Sequence, residues 1–297
     1  MSIQRSLNVL VTQALITRNK AILNISSLTM KTIRLQRVLL TLTIVLLLVG
    51  STSVYAQSKW RAGIGTGFSL LNLEGDWGFH TEAFGPILAT DVDLSPDDIM
   101  DVMEGAIGFG GYVTNGKVMV QYSFLHLKLG DEPSGTLPNG LDFEFDLELE
   151  MTQAELTVGY TAYTDPNGKV SLQPYVGVRY KKHDWSADLT VFAGTPEEIS
   201  RGIDENWTDA LVGAALNVSV APQVRWNTRF DVGFGGSNST LAGATALTWT
   251  PLRWLTLSPN AFFKAIDFEN GDQGDPDWYL YDMSEFGGGL SFMIHFL

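Results

Sequence analysis

The 297-residue chain contains no cysteine. This absence excludes disulfides, thiolate metal sites and a lipid anchor on a cysteine. After residue 56 the chain also lacks any apolar run of roughly 20 residues, the length that a transmembrane helix needs. If residues 57–297 enter a membrane, we therefore expect them to do so as β-strands.

Positive charge is scarce after residue 56. Residues 57–297 hold 13 basic and 33 acidic residues, a formal charge of −20. Such acidity argues against nucleic acid, or a bare anionic lipid surface, as a partner. It fits a surface whose carboxylates are solvated or are bridged by divalent cations.

Residues 1–56, in contrast, hold six basic residues and no acidic one. A basic stretch from Met30, an apolar run over 38–49 and the small residues Val54 and Ala56 predict a signal peptide over 30–56. Residues 1–29 then form an upstream extension, with a misassigned start as one explanation. A long signal peptide or an inner-membrane anchor is the alternative. The mature domain is predicted to be 57–297.

The mature domain alternates apolar and polar residues at a period of two, the pattern of β-strands. Asn115-Gly116 and Asp165-Pro166-Asn167-Gly168 mark tight turns between such runs. The predicted strands cover 60–73, 105–113, 118–129, 143–163, 170–190, 207–220, 224–235, 240–249, 254–268 and 284–297.

One predicted strand, 143–163, changes which parity is apolar halfway along. Phe143 and Phe145 oppose acidic residues, whereas Leu156 and Val158 share the parity of those acids. A strand that stands out of the bilayer explains this, and a bulge that flips the register is the alternative.

The first long connection, 74–104, predicts one short helix. Ser95 is a suitable N-cap, Pro96 takes the first helical position and Asp98 lies three residues after the cap. We expect the helix to plug the barrel mouth or to lie against the rim.

The lengths of the connections decide between a secreted β-sandwich and a transmembrane barrel. Long and short connections alternate along the chain, as in barrels with short periplasmic turns and longer external loops. The sequence therefore predicts an all-β fold, a single antiparallel up-and-down transmembrane β-barrel of ten strands, with eight or twelve as alternatives. The tryptophans near both strand ends predict two interfacial girdles: Trp60, Trp226, Trp249 and Trp254 at the short-turn end, and Trp185, Trp207 and Trp278 at the loop end.

The last predicted strand places its apolar residues on one face: Leu290, Phe292, Ile294 and Phe296. Here the chain resembles bacterial outer-membrane β-barrels, whose final strand typically ends in an aromatic residue and serves as the assembly signal, although Leu297 follows Phe296. Residues 57–297 as a whole resemble small barrels of the OmpA/OmpW-like superfamily. The resemblance implies the outer-membrane insertion machinery and lipopolysaccharide as partners, both termini periplasmic and the long loops extracellular.

Eight charged residues are predicted to face the lumen, where each needs a partner or water. They can form a structural salt-bridge network that fills a narrow barrel, or a cation-lined path for small anions. They are Glu155, Arg179, Lys181, Asp209, Arg225, Arg229, Asp231 and Lys264.

The four histidines are the candidates for an enzyme: His80, His126, His183 and His295. His183-Asp184 looks like a catalytic pair, and outer-membrane proteases of the omptin type use His and Asp at the rim of a ten-strand barrel. Consecutive strand residues point to opposite faces, however, so this pair cannot cooperate without a bulge. No Gly-x-Ser-x-Gly motif is present. We interpret the histidines as surface residues without a catalytic role.

The predicted loops are rich in acidic residues, but none has EF-hand spacing. Solvated loop charge is the default interpretation, so no cofactor or resident metal is expected. Divalent bridging to lipopolysaccharide phosphates is the alternative. The residues are Asp91, Asp93, Asp97, Asp98, Asp101, Glu197, Glu198, Asp204, Glu205, Glu269, Asp272, Asp275 and Asp277.

Three functions remain open from the sequence. The first is a non-enzymatic barrel with a largely plugged lumen, acting in envelope structure or surface interaction. The second is a narrow channel for small or apolar solutes, lined by Arg179, Arg225 and Arg229. The third is an outer-membrane hydrolase. The first is our prediction.

Overall fold

The computed structural model describes residues 60–81, 85–131, 134–136, 142–193 and 195–296. The predicted signal peptide and upstream extension lie outside these ranges. The described elements are β1 (Arg61–Thr81), β2 (Gly85–Leu94), α1 (Pro96–Asp101), β3 (Met103–Thr114), β4 (Val118–Asp131), β5 (Ser134–Thr136), β6 (Asp142–Tyr160), β7 (Tyr163–Thr164), β8 (Val170–Ala193), β9 (Thr195–Ala221), β10 (Val224–Phe234), β11 (Ser239–Leu252), β12 (Leu255–Asn270) and β13 (Tyr279–Phe296).

Ten of these strands form a closed antiparallel barrel, which confirms the predicted fold class and strand number. The ring runs β1-β3-β4-β6-β8-β9-β10-β11-β12-β13, and β13 pairs with β1 along its whole length, from Ala62 opposite Phe296 to Phe79 opposite Tyr279. The remaining strands, β2, β5 and β7, are short additions that pair with β1, β6 and β8. Closure removes the free sheet edges that an open sheet would expose.

The strands reach farther on the loop side than the sequence predicted. The connection predicted over 74–104 contains a β1–β2 hairpin, the one over 192–206 lies almost entirely in β9, and β13 begins at Tyr279 rather than at 284. These extensions carry few lipid-facing apolar residues, because a strand that stands above a membrane can show polar side chains on its outer face. A polar stretch therefore resembles a loop in sequence.

Strand β6 settles the two interpretations of 143–163. Its pairing shows no register shift on either side. The ladder with β4 begins with Val118 opposite Tyr160, and the ladder with β8 ends with Gly159 opposite Tyr175. The alternative interpretation, a bulge, is therefore wrong, and one face of a continuous strand passes from apolar to acidic. On that face Glu148 forms an ion pair with Lys128 at 2.7 Å.

The predicted helix is present as α1. The Ser95 hydroxyl accepts a hydrogen bond from the Asp98 amide, and the Asp98 carboxylate accepts one from the Ser95 amide, which completes a capping box. Ile99 is buried, and α1 packs beside β1. The helix therefore lies against the barrel wall.

The turn between β7 and β8 is built by one side chain. The Asp165 carboxylate accepts hydrogen bonds from the amides of Val170, Lys169 and Asn167. These bonds, the one from Val170 foremost, hold the pKa of Asp165 below its ordinary value.

The outer face of the barrel is apolar. Large hydrophobic side chains are exposed on the outward parity of nearly every strand, among them Ile64, Leu156, Val176 and Phe230. A continuous exposed apolar belt around a closed barrel with a polar interior is typical of a membrane-spanning barrel. The described ranges hold no helix with the length and hydropathy of a transmembrane helix.

Candidate functional site in the barrel interior

Four predicted lumen charges meet in one network, the charge layer, defined as Glu155, Arg179, Arg229 and Asp231. Arg179 Nη2 lies 2.8 Å from Glu155 Oε2 and 2.9 Å from Asp231 Oδ1. Arg229 Nη2 lies 2.6 Å from Glu155 Oε1 and 3.0 Å from Asp231 Oδ2. Each carboxylate therefore bridges both guanidinium groups. The layer joins β6, β8 and β10, which lie on one side of the ring with only β9 between β8 and β10.

Tyr175 completes the charge layer. Its hydroxyl donates a hydrogen bond to Asp231 Oδ2 at 2.7 Å, and the Arg229 guanidinium carbon lies 5.1 Å from the centre of its ring. Arg179, Asp231 and Tyr175 are all buried. Such a buried ionic network is stable only while every member keeps its partners.

Two more predicted charges form a second group, the lysine cluster, defined as Lys181, Lys264 and Glu285. Lys181 forms an ion pair with Glu285, and Lys264 Nζ lies 2.9 Å from the other carboxylate oxygen. Lys264 also donates to Gln153 Oε1 at 2.6 Å, and Tyr281 donates to Glu285 at 3.0 Å. This cluster lies on β8, β12 and β13.

The structure places Asp209 and Arg225 elsewhere. Asp209 is buried, and it accepts hydrogen bonds from the amides of Gly236 and Ser237 and from the hydroxyls of Ser237 and Thr240. Asp209 therefore stabilises the β10–β11 turn and does not line a path through the lumen. Arg225 is exposed at the short-turn end and lines a separate cavity.

Above the lysine cluster, toward the loop end, aromatic side chains fill the interior and form the aromatic layer. Trp207 stacks on Phe268 with ring centres 4.1 Å apart, and Phe79 packs on Trp185 at 4.5 Å. The members are Trp77, Phe79, Trp185, Trp207, Phe268, Tyr279 and Tyr281.

The loop-end girdle prediction is wrong. Trp207 and Trp278 are 5% and 3% exposed, and Trp185 packs among the buried aromatics. Trp207 shares the parity of Asp209, and Trp185 that of Lys181, so both point inward. The prediction considered only how far along the strand these tryptophans lie, and not which face of the strand they are on. The four tryptophans at the short-turn end are about half exposed: Trp60, Trp226, Trp249 and Trp254.

The histidines are not all surface residues. His183 is 2% exposed, and its Nδ1 lies 2.8 Å from the Tyr279 hydroxyl. His295 contacts the hydroxyls of Tyr112 and Thr256 at 2.9 and 2.6 Å. Asp184 lies on the opposite face from His183, where it pairs with Lys182 at 3.0 Å. The structure therefore does not bring His183 and Asp184 together.

Two cavities occupy the interior of the described barrel. The lower one, about 850 Å³, lies at the short-turn end and contains Arg225 and His295. The upper one, about 800 Å³, contains Lys181, Lys264 and Glu285. Arg229 of the charge layer lines both. The charge layer therefore lies at the border of the two cavities.

Sequence reasoning missed Glu285, Gln153 and Tyr175 as interior polar residues. The signal was present in the strand parity, because Glu285 lies on the same face as Ser291 and His295, and Gln153 on that of Glu155. No cluster of three or more metal-ligating side chains occurs within the described ranges. Bridging of the acidic loops by divalent cations stays a prediction.

Comparisons with known proteins give similarity of fold only. No protein-family model and no curated protein matches the chain. Among solved structures it is similar to the attachment invasion locus protein Ail of Yersinia pestis (12% identity, 80% of this chain and 98% of Ail, TM-score 0.27). It is also similar to the translocator domain of autotransporter NalP from Neisseria meningitidis (10%, 87% and 97%, 0.38) and to the toluene transporter TbuX of Ralstonia pickettii (10%, 80% and 90%, 0.28). At these values no function transfers.

The interior is thus stratified. A polar cavity at the short-turn end is followed by the charge layer, the upper cavity with its lysine cluster, and the aromatic layer. With its apolar outside, the chain is a β-barrel of the outer-membrane type.

Proposed function

We propose that this protein is a non-enzymatic integral outer-membrane barrel with a closed lumen, serving envelope structure or surface interaction. The charge layer is the observation that carries the proposal. Its side chains form four ion pairs with one another and lie at the border of the two cavities. A path for ions would need these charges to be free to exchange partners with a passing solute.

The aromatic layer supports a second closure in series with the first. Leu73, Trp207, Phe268 and Tyr279 are each 5% exposed or less, and they fill the interior at the loop end. The same barrel would place both termini in the periplasm, the loops outside the cell and lipopolysaccharide beside the extended strands. Assembly by the outer-membrane insertion machinery belongs to this proposal.

The other two functions have less support. A narrow channel would have to cross both layers. A hydrolase would need a nucleophile or a water activated by a base, and the His183 ring instead contacts Tyr279 and packs among aromatics.

Single-channel recording in planar bilayers tests the closed lumen. We expect the unaltered protein to give no conductance steps. Opening one layer, by the charge-balanced pair Glu155→Ser and Arg229→Ser or by Trp207→Ala, should also give none, because the other layer still closes the lumen. The three substitutions together should give steps. Steps from the unaltered protein would contradict the closed lumen and favour the channel.

A further inference from the structure

The barrel wall has an interruption in its hydrogen-bond ladder between β1 and β3. Strand β1 pairs with β3 only over Arg61–Gly65, opposite Gly110–Thr114, and it pairs with β2 from Leu73 upward. Residues 66–72 of β1 and 103–109 of β3 therefore face each other without a ladder, although the structure describes all of them. One side-chain bond spans the interruption, from Thr66 Oγ1 to the Gly108 carbonyl oxygen at 2.6 Å.

An unpaired stretch of strand edge is costly inside a membrane. Lipid chains offer no hydrogen bonds, and each unsatisfied backbone group costs several kcal/mol. The interruption lies at the height of the apolar belt, because Phe68 and Leu70 on β1 and Ile107 on β3 are exposed on its outer face. The interruption is therefore an opening in the wall between the membrane and the barrel interior.

The upper cavity reaches this interruption. Its lining includes residues 66–71 of β1 and Ala106, Ile107 and Gly108 of β3, as well as the lysine cluster. The residues at the edge of the opening, the lips, are apolar and 41–58% exposed: Phe68, Leu70, Met100, Ile107 and Leu125. At about 800 Å³ the cavity falls within the ~300–1,000 Å³ of small-molecule sites.

The inner end of the cavity has the opposite character. Its lining holds four cationic side chains, Arg179, Lys181, Arg229 and Lys264, and three carboxylates, Glu155, Asp231 and Glu285. One positive charge is therefore in excess.

Two buried donors beside these charges lack a hydrogen-bond partner within the described chain, Arg179 Nη1 and His183 Nε2. The Tyr279 hydroxyl accepts the Trp77 indole N–H at 3.1 Å. The hydroxyl can donate its own hydrogen to His183 Nδ1, and in this tautomer the ring hydrogen lies on Nε2.

We propose that the interruption between β1 and β3 is a lateral entrance that admits a single-chain anionic amphiphile, a long-chain carboxylate, from the membrane into the upper cavity. The acyl chain lies between the apolar lips. The carboxylate reaches the lysine cluster, where it balances the excess positive charge. This inference rests on the membrane location proposed above.

Photolabelling in proteoliposomes tests the proposal. The probe is a palmitate analogue with a diazirine in its chain, compared with the matched long-chain alcohol, and labelled peptides are mapped by mass spectrometry. We expect the acid to label inward-facing Ser69, Leu71 and Ser123, in competition with excess palmitate. The alcohol should label these positions at least tenfold less. Both probes should label outward residues such as Phe230 and Val232.

Two variants with matched controls sharpen the result. Ser123→Phe fills the upper cavity and should reduce inward labelling about tenfold, whereas Ser171→Phe, in the lower cavity, should not. Lys264→Gln should remove the preference for the acid over the alcohol. Lys182→Gln removes the same charge from the outer face and should leave the preference unchanged.

The readouts separate the two proposals. Loss of outward labelling by both probes would contradict the membrane location. Outward labelling without inward labelling in the unaltered protein would overturn the lateral entrance alone. Equal inward labelling by acid and alcohol would overturn the anionic ligand.

Discussion

Replacing Arg179 by methionine is expected to destabilise the folded barrel by about 3–5 kcal/mol, the cost of breaking a buried ion pair by removing one partner. Arg179 is 3% exposed and bonds to both Glu155 and Asp231. Without it, two buried carboxylates share the single guanidinium of Arg229. The layer then holds an uncompensated negative charge.

Equilibrium urea unfolding in lipid vesicles, followed by tryptophan fluorescence, measures this loss. The matched control is Lys182→Met, which removes one cation from the outer face of the same strand. Lys182 pairs with Asp184 and Asp204, both about half exposed, so this change should cost only about 0–1 kcal/mol.

A second substitution separates charge from packing. Adding Glu155→Gln to Arg179→Met restores neutrality among the remaining members and should recover about 1–3 kcal/mol of the loss. Equal stability of Arg179→Met and Lys182→Met would contradict the charge layer as described.

The double substitution Gly287→Ala and Gly289→Ala is expected to impair closure of the barrel. A Cβ atom at Gly287 would overlap the carbonyl oxygen of Leu70, and one at Gly289 that of Phe68. Both contacts are with the backbone of the strand that closes the ring, so no side-chain rotation relieves them. Overpacking costs about 1–3 kcal/mol per site, so the pair should cost about 2–6 kcal/mol.

The loss is a large fraction of the stability of a typical domain, about 5–15 kcal/mol, so the yield of closed barrels should fall. The measurement is the yield of the compact, faster-migrating band of the unboiled protein on a denaturing gel after folding into vesicles. The control pair is Gly105→Ala and Gly202→Ala, where an added Cβ meets open space or an ordinary contact. Normal yield for Gly287→Ala with Gly289→Ala would show that the β1–β13 seam is looser than described.

Much of this fold could be predicted because alternation along a strand is a local property. Ten strands and the inward parity of Arg179, Lys181 and Asp231 follow from the period of two. The helix follows from its N-cap at Ser95. The ring itself could be predicted only from the pattern of connections, since register between distant strands leaves no mark in a single sequence.

Most of the wrong predictions concern the part of the barrel beyond the apolar belt. There the strands lose their apolar outer face, so 195–206 resembles a loop although it belongs to β9. There too the interior becomes aromatic, which made Trp207 resemble a girdle residue. Which charges pair across the lumen, such as Lys181 with Glu285 on strands far apart in the chain, depends on closure and has no local signal.

The central claim is that the alternate residues of each barrel strand face lipid and a polar lumen. Because the chain has no cysteine, single cysteines on β10 test it directly. In proteoliposomes, a water-soluble maleimide should react with cysteine at Arg225 and Asn227, which line the lower cavity. It should not react at Phe230 or Val232 until the vesicles are dissolved and the protein is unfolded. Reaction at 230 and 232 with protection at 225 and 227 would contradict the account, because the apolar face would then be the inside of a water-soluble fold.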